Sequence, residues 1–539
     1  MRRSLTTVLT LLGLLMLATL AVGGPSRPQA GDLSTLQTRP ERTDFKETTR
    51  YEEVMTFIEK VVAASPYLQS TTFGYTYEGR PLPVVVFGDV QDASREAVLA
   101  TGKTRIWVQG NIHAGEVCGK EAMLMLLRSL AQGEHADWRD SLVVMIAPIY
   151  NADGNERVRI DNRRAQNGPI GGMGQRANAQ GLDLNRDHMK LDSPEARSLA
   201  LMLQQYDPHI AIDLHTTNGT QHAYHATYAP PLNPNTDAAI DGFLRGDLLP
   251  SVTQTLREKH GWHYYYYGNV PGRFGRGMDP GWYTYDSLPR YNTNYIGLRN
   301  RIGILSEAYA YATFEERILA SLYFVEEIVN YAGANADRVA AVVDEADGHS
   351  VVGESLALRA ELARSAEPVE ILMGATEQLR NPFSGGIMLN RLDVVTPEMM
   401  YEYGTFRATE EETAPAAYFI PADLEIVLTK LAQHGVIVTE LETDTTLAVE
   451  RFMITSSTAA EREYQGHVAR TLEGMYEAVE VTLPAGTAVV RLDQPLGRLA
   501  FYLLEPRSDD GLTTWGFLDR ALQEDEEIFP IVRAMSGGF

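Results

Sequence analysis

An apolar run, Arg105-Ile106-Trp107-Val108-Gln109, leads into Asn111-Ile112-His113-Ala114-Gly115-Glu116, and a stretch of helical character follows over 119–131. Strand, tight Gly-containing turn and helix in that order begin an α/β layer. The turn also places an imidazole and a carboxylate three residues apart. A catalytic zinc site is a partial shell of neutral imidazole and carboxylate with one position open to water. His113 and Glu116 make half of such a shell, so a third ligand must come from elsewhere. Pro208-His209-Ile210-Ala211-Ile212-Asp213-Leu214-His215 reads as a short buried strand that delivers His215 at its end, before the loop-like Thr216-Thr217-Asn218-Gly219. In open α/β sheets the ligand side is where strands end, which lets His113, Glu116 and His215 converge on one metal.

The rest of the first 335 residues alternates. The spacing predicts a helix over 51–64, hairpin strands at 68–75 and 83–87 across Tyr77-Glu78-Gly79-Arg80, and a strand at 104–109. A helix over 119–131, a strand at 141–149, a helix over 194–206 and strands at 210–214 and 301–305 follow, with a closing helix over 314–331. This order predicts a mixed, mainly parallel central sheet flanked by helices. The connection from Asn151 to Asp192 is too long and Gly-rich for a simple crossover, and such loops are usually functional. It carries Arg163, Arg164 and Arg176, whose guanidinium forks match a carboxylate bidentately. After about Asn335 short strand-like runs (371–373, 418–420, 436–438, 488–490 and 499–504) and a helix over 423–433 point to a second, β-rich α+β region.

The sequence resembles the zinc carboxypeptidases, the carboxypeptidase A family, over about residues 45–335. The resemblance is carried by His113, Glu116 and His215, by Gly181-Leu182-Asp183-Leu184-Asn185-Arg186 between them, by Ile304-Leu305-Ser306-Glu307 after them, and by the Glu-Gly-Arg turn. It implies a fold of the zinc carboxypeptidase type and a Zn2+ cofactor. It further implies that Glu307 is the general base for a zinc-bound water, that Asn185 and Arg186 grip the substrate's terminal carboxylate, and that the substrates are peptides with a free C-terminus. Where the family has an oxyanion-stabilising arginine this chain has Gln166, so Arg163, Arg164 or Arg176 must substitute. The family's mobile tyrosine has three counterparts, Tyr285, Tyr291 and Tyr295. Asp187-His188 replaces the usual asparagine and aromatic residue; His188 is expected beside the pocket rather than on the metal. Two other readings are an amide deacylase or cell-wall peptide hydrolase with the same metal, and an inert hydrolase domain in a binding protein.

The predicted organisation is therefore a signal segment and lead-in over 1–30, a catalytic domain over 45–335 and an accessory α+β domain over 340–539. The signal reading rests on Arg2-Arg3, the apolar run from Val8 to Ala18 and small residues at Ala21 to Gly24, and it predicts a secreted or periplasmic protein without stable membrane insertion. Lys and Arg total 47 against 71 acids, a net charge of -24, which excludes a nucleic-acid surface and binding to anionic lipid. The single cysteine, Cys118, permits no internal disulfide and is expected to be a small buried residue at the helix start. Arg273 and Arg276 are candidate determinants for acidic C-terminal side chains, against the simpler reading of solvated loop charges.

Overall fold

The computed structural model describes residues 33–217, 219–272, 277–522 and 527–537. The signal segment and Arg273 and Arg276 lie outside the described residues. Among those described, no helix is long and apolar enough to cross a membrane.

Helix α1 (Tyr51–Ala64) turns its apolar stripe of Val54, Phe57, Ile58 and Val61 inward. Strands β1 (Leu68–Tyr75) and β2 (Pro81–Phe87) form an antiparallel hairpin closed by Gly79 at φ +81°. Then come β3 (Thr104–Gly110), α2 (Cys118–Gln132), β4 (Leu142–Ala147), α3 (Pro194–Tyr206), β5 (Ile210–Thr216), β6 (Ala226–Ala229), β7 (Tyr264–Tyr266), α4 (Asn292–Leu298), β8 (Ile302–Ala308) and α5 (Phe314–Ala334). They build an eight-stranded sheet in the order β1-β2-β4-β3-β5-β8-β6-β7. The four central strands, β4-β3-β5-β8, are parallel, and antiparallel pairs flank them. Every residue of β4 and β5 is buried, as a strand covered by helices on both faces must be. The mixed, mainly parallel central sheet flanked by helices that the sequence predicts is the fold found.

The C-terminal part holds β9 (Ala417–Ile420), α6 (Glu425–His434), β10 (Thr439–Glu440), β11 (Thr445–Tyr464), β12 (His467–Leu483), β13 (Ala488–Arg491), α7 (Gly497–Leu504) and β14 (Ile528–Ala534). Its six-stranded sheet runs β10-β13-β9-β14-β11-β12. Residues 355–413 add two-stranded ribbons, among them Thr376–Arg380 with Ile387–Arg391. One continuous apolar core runs through both parts, from Val54 and Ile106 to Leu431, Phe501 and Phe529.

Three elements differ from the sequence expectation. Residues 499–504, expected as a strand, belong to α7, all eight of whose residues are buried; a short apolar run has no periodicity that separates strand from buried helix. Residues 436–438 form no strand. A helix, Ala336–Gly348, follows α5 and buries Val339, Val343 and Ala346, so helical structure continues past the expected change at 335.

Candidate active site

Strand β3 stops at Gly110, where an added Cβ would lie 3.0 Å from the Lys120 amide nitrogen. Asn111, at φ +70°, then reverses the chain so that His113 and Glu116 sit in the turn at the head of α2. Gly119 lets α2 lie against β5: a Cβ there would come within 2.5 Å of the Leu214 Cβ. Strand β5 thereby presents His215 to the turn. In the parallel register His215 pairs with Glu307 of β8, and all four side chains meet at the C-terminal edge of the sheet.

His113 Nδ1 is 3.0 Å from Glu116 Oε1, His215 Nδ1 is 2.9 Å from Glu116 Oε2, and the two Nδ1 atoms are 3.2 Å apart. The other ring nitrogens face carboxylates. His113 Nε2 donates to Asp183 Oδ1 at 3.0 Å and His215 Nε2 to Asp213 Oδ2 at 2.8 Å. With the protons held there, both Nδ1 atoms turn lone pairs toward one another and toward an anion, an arrangement that a metal cation at the centre would relieve. A tetrahedral ion bound at about 2.0–2.1 Å separates its ligand atoms by roughly 3.3 Å. His113, Glu116 and His215 therefore fit a zinc ion, and they are the one group of three such side chains with that spacing among the described residues. Behind His215 the network is buried and continuous: Gln109 Nε2 donates to Asp213 Oδ1 at 3.1 Å and Trp107 Nε1 to Gln109 Oε1 at 2.9 Å.

Next to this centre lies a cavity of about 220 Å³. On one wall is the short turn Leu184–Arg186, capped by Asp183, whose carboxylate accepts the Asn185 amide at 3.0 Å. Asn185 Oδ1 accepts the Asn292 amide at 2.8 Å, and the Arg186 guanidinium lies 4.0 Å from the centre of the Tyr291 ring. Glu307 faces the same cavity with Oε2 free of any hydrogen-bond partner. Burial pushes its carboxyl up to about 8. Burial opposes ionisation of Asp183 as well, but His113 and Arg176 outweigh it and hold that carboxyl well below the usual range.

Of the residues expected at the site, His113, Glu116, Asn185, Arg186, Tyr285, Tyr291, Glu307 and Arg176 line this cavity, and His215 joins His113 and Glu116 in the donor cluster beside it. Arg163 reaches it by an ion pair with Glu116. Arg164 does not: it is 73 % exposed, lies 3.6 Å from Asp161 and borders a separate cavity of about 580 Å³. Tyr295 also turns away, burying its hydroxyl against His434 Nδ1 at 2.9 Å. His188 stacks on Tyr295 at 5.7 Å and is pushed down to about 4 by burial. Asp187, at the departure from the family pattern, is a buried anchor paired with Lys190 at 2.6 Å and bonded to the Ser193 amide at 2.8 Å. Cys118 is buried, with Sγ 3.1 Å from Thr216 Oγ1. Asp213, Tyr267, Thr217 and Leu305 were not foreseen. Asp213 was readable in principle, since it lies two residues before His215 on one face of a strand.

A family model described as zinc carboxypeptidase matches residues 54–268. That span contains His113, Glu116, Asn185, Arg186 and His215 and stops short of Glu307. Carboxypeptidase 2 of Trichophyton tonsurans is 23% identical over 512 residues, covering 90% of this chain and 86% of its own. Carboxypeptidase E of Caenorhabditis elegans is 32% identical over 126 residues, 22% of this chain and 25% of its own. Among solved structures, carboxypeptidase A of Helicoverpa armigera covers 54% of this chain and 75% of its own at 16% identity and a TM-score of 0.40. Residues 54–268 are thus a zinc carboxypeptidase domain, and over most of its length the chain is similar to carboxypeptidase 2 of Trichophyton tonsurans.

Proposed function

We propose that this chain is an exported zinc metallocarboxypeptidase that removes the C-terminal residue of peptides. The observation that carries the reading is that the Asn185–Arg186 pair and Glu307, whose Oε2 has no hydrogen-bond partner, line one cavity beside the cluster of three donor side chains. Zinc held by His113, Glu116 and His215 would supply Lewis acidity to a water and to the scissile carbonyl. Asp213 and Asp183 orient the two imidazoles and keep each Nδ1 free to bind. Arg186, packed under Tyr291, takes the terminal carboxylate together with Asn185, which fixes where the last peptide carbonyl falls and converts remote binding into orientation. Glu307 takes the proton of the attacking water and returns it to the departing amine. Burial raises the proton affinity of this carboxylate, which favours its taking the water's proton in the first half of that role. Arg163 and Arg176, both near Glu116, are placed to stabilise the oxyanion.

Export is proposed from the charged, apolar and small-residue segments of residues 1–30, and a mature N-terminus between about Ala21 and Ala30 would support it. The activity is tested with a peptide library varied at its C-terminus. Stepwise loss of C-terminal residues, abolished by a chelator and restored by one equivalent of zinc, with Glu307→Gln inactive yet still holding zinc, is the expected result. Intact peptides from a protein holding one zinc per chain would refute the exopeptidase reading.

A further inference from the structure

Strands β11 and β12 form a hairpin far longer than the sheet that holds it. Its base pairs with β14 between Glu450 and Met453, whereas residues 455–464 of β11 are exposed throughout. A two-stranded ribbon in water is marginally stable by itself, so its tip must be held from outside. The turn is Gln465-Gly466, at φ +52° and φ +85°, the left-handed pair that suits a two-residue hairpin. At this tip three contacts reach into the catalytic half. Gln465 Oε1 accepts the Asp183 amide at 2.8 Å, and His467 Nε2 lies 2.7 Å from Asp192 Oδ2. The Tyr464 ring lies 5.6 Å from the Arg290 guanidinium, which also bonds to Asp510 at 2.9 Å.

Asp183 is the residue on which the cavity wall depends. Its carboxylate accepts from His113 and Arg176, and its main chain begins the turn that carries Asn185 and Arg186. Arg290 directly precedes Tyr291, which lies over Arg186. The hairpin tip thus braces both sides of the carboxylate-binding pair from a point some 280 residues further along the chain. We propose that this hairpin is part of the substrate-binding apparatus and that Gln465 is a positioning residue for it. Gln465 does not line the cavity; it acts through Asp183, setting the attitude of Arg186 toward the terminal carboxylate. The inference rests on the carboxypeptidase reading given above.

The test compares Gln465→Met, equal in length but without an acceptor, with Gln465→Glu, which keeps one. The assay is steady-state hydrolysis of a short peptide with a free C-terminus by the full mature chain loaded with zinc. Expected for Gln465→Met is a rise of about five- to tenfold in KM, with kcat within twofold and an unchanged melting temperature, and for Gln465→Glu a KM near that of the parent. A second variant closes the ribbon early, joining the registered pair Ala459 and Arg470 by Asn-Gly in place of residues 460–469. It should raise KM more than tenfold. A merely structural role would lower the melting temperature and the active fraction, and so kcat, while leaving KM unmoved. Parental KM in both the Met and the shortened variants, or equal damage from Met and Glu, would overturn the proposal. A parent that neither cleaves nor binds the peptide would overturn the carboxypeptidase reading itself, so the two failures are distinct.

Discussion

Asp213 shows how much a side chain without contact to substrate decides. Its carboxylate is what places the His215 proton on Nε2 and leaves Nδ1 for a metal. Asp213→Asn keeps the shape and removes the charge, and it is expected to weaken zinc binding ten- to a hundredfold, read by competition with a coloured chelator. Arg186→Met should raise KM for free-carboxylate peptides by roughly ten- to a hundredfold, the worth of a charge-assisted pair, with the zinc content unchanged. Arg164→Ala should leave both kcat and KM within twofold, because its guanidinium faces solvent and Asp161; a large loss would put the oxyanion role back on it. At this scale the candidate metal triad was readable because ligand chemistry resides in residue type and spacing. Neighbouring candidates were not separable. Arg163 adopts φ +47°, which sends its side chain one way and that of Arg164 another. Tyr291, extended at the N-cap of α4, points into the cavity, while Tyr295 within that helix points into the core.

Between elements, close packing brings the candidate metal donors together. Gly119 of α2 lies on Leu214 of β5, the residue before His215. Gly119→Ala must move helix from strand, and overpacking of this kind costs about 1–3 kcal/mol. A lower melting temperature together with weaker zinc binding is expected; loss of stability with unchanged zinc affinity would show that the donor geometry does not depend on this contact. The central strands and most helices of the sheet were legible from periodicity, with boundaries displaced by at most three residues. The long hairpin was not, because ten consecutive exposed residues carry no alternation of a buried and a solvated face.

Over the whole molecule, the two halves share polar groups that neither satisfies alone. His434 of α6 is buried between the Tyr295 hydroxyl and the Met189 carbonyl, the latter at 3.1 Å. Burial pushes its pKa down to about 3. A folded-state pKa below the unfolded value of about 6.5 means that unfolding takes up a proton in between, so this contribution is present above pH 6.5 and is lost as pH falls toward 3, at about 1.4 kcal/mol per pH unit. His434→Gln should reduce the proton uptake on unfolding near pH 5 by about one, measured from urea melts across pH 4.5–7. A chain truncated after residue 335 is expected to yield no soluble enzyme, since Tyr295, Arg290 and Asn300 lose His434, Asp510 and the Pro495 carbonyl.

The sequence by itself determined the zinc carboxypeptidase resemblance, the candidate metal triad, the alternating central sheet and the Asn185–Arg186 pair as a candidate site. These depend on residue types at short spacings and on periodic burial, both of which are written along the chain. Only the tertiary structure decided which arginine and which tyrosine face the cavity, that a run expected as strand is the buried helix α7, and that the tip of a C-terminal hairpin rests on Asp183. Each of those is a contact between segments distant in sequence, and its direction is set by packing through space that no local pattern encodes.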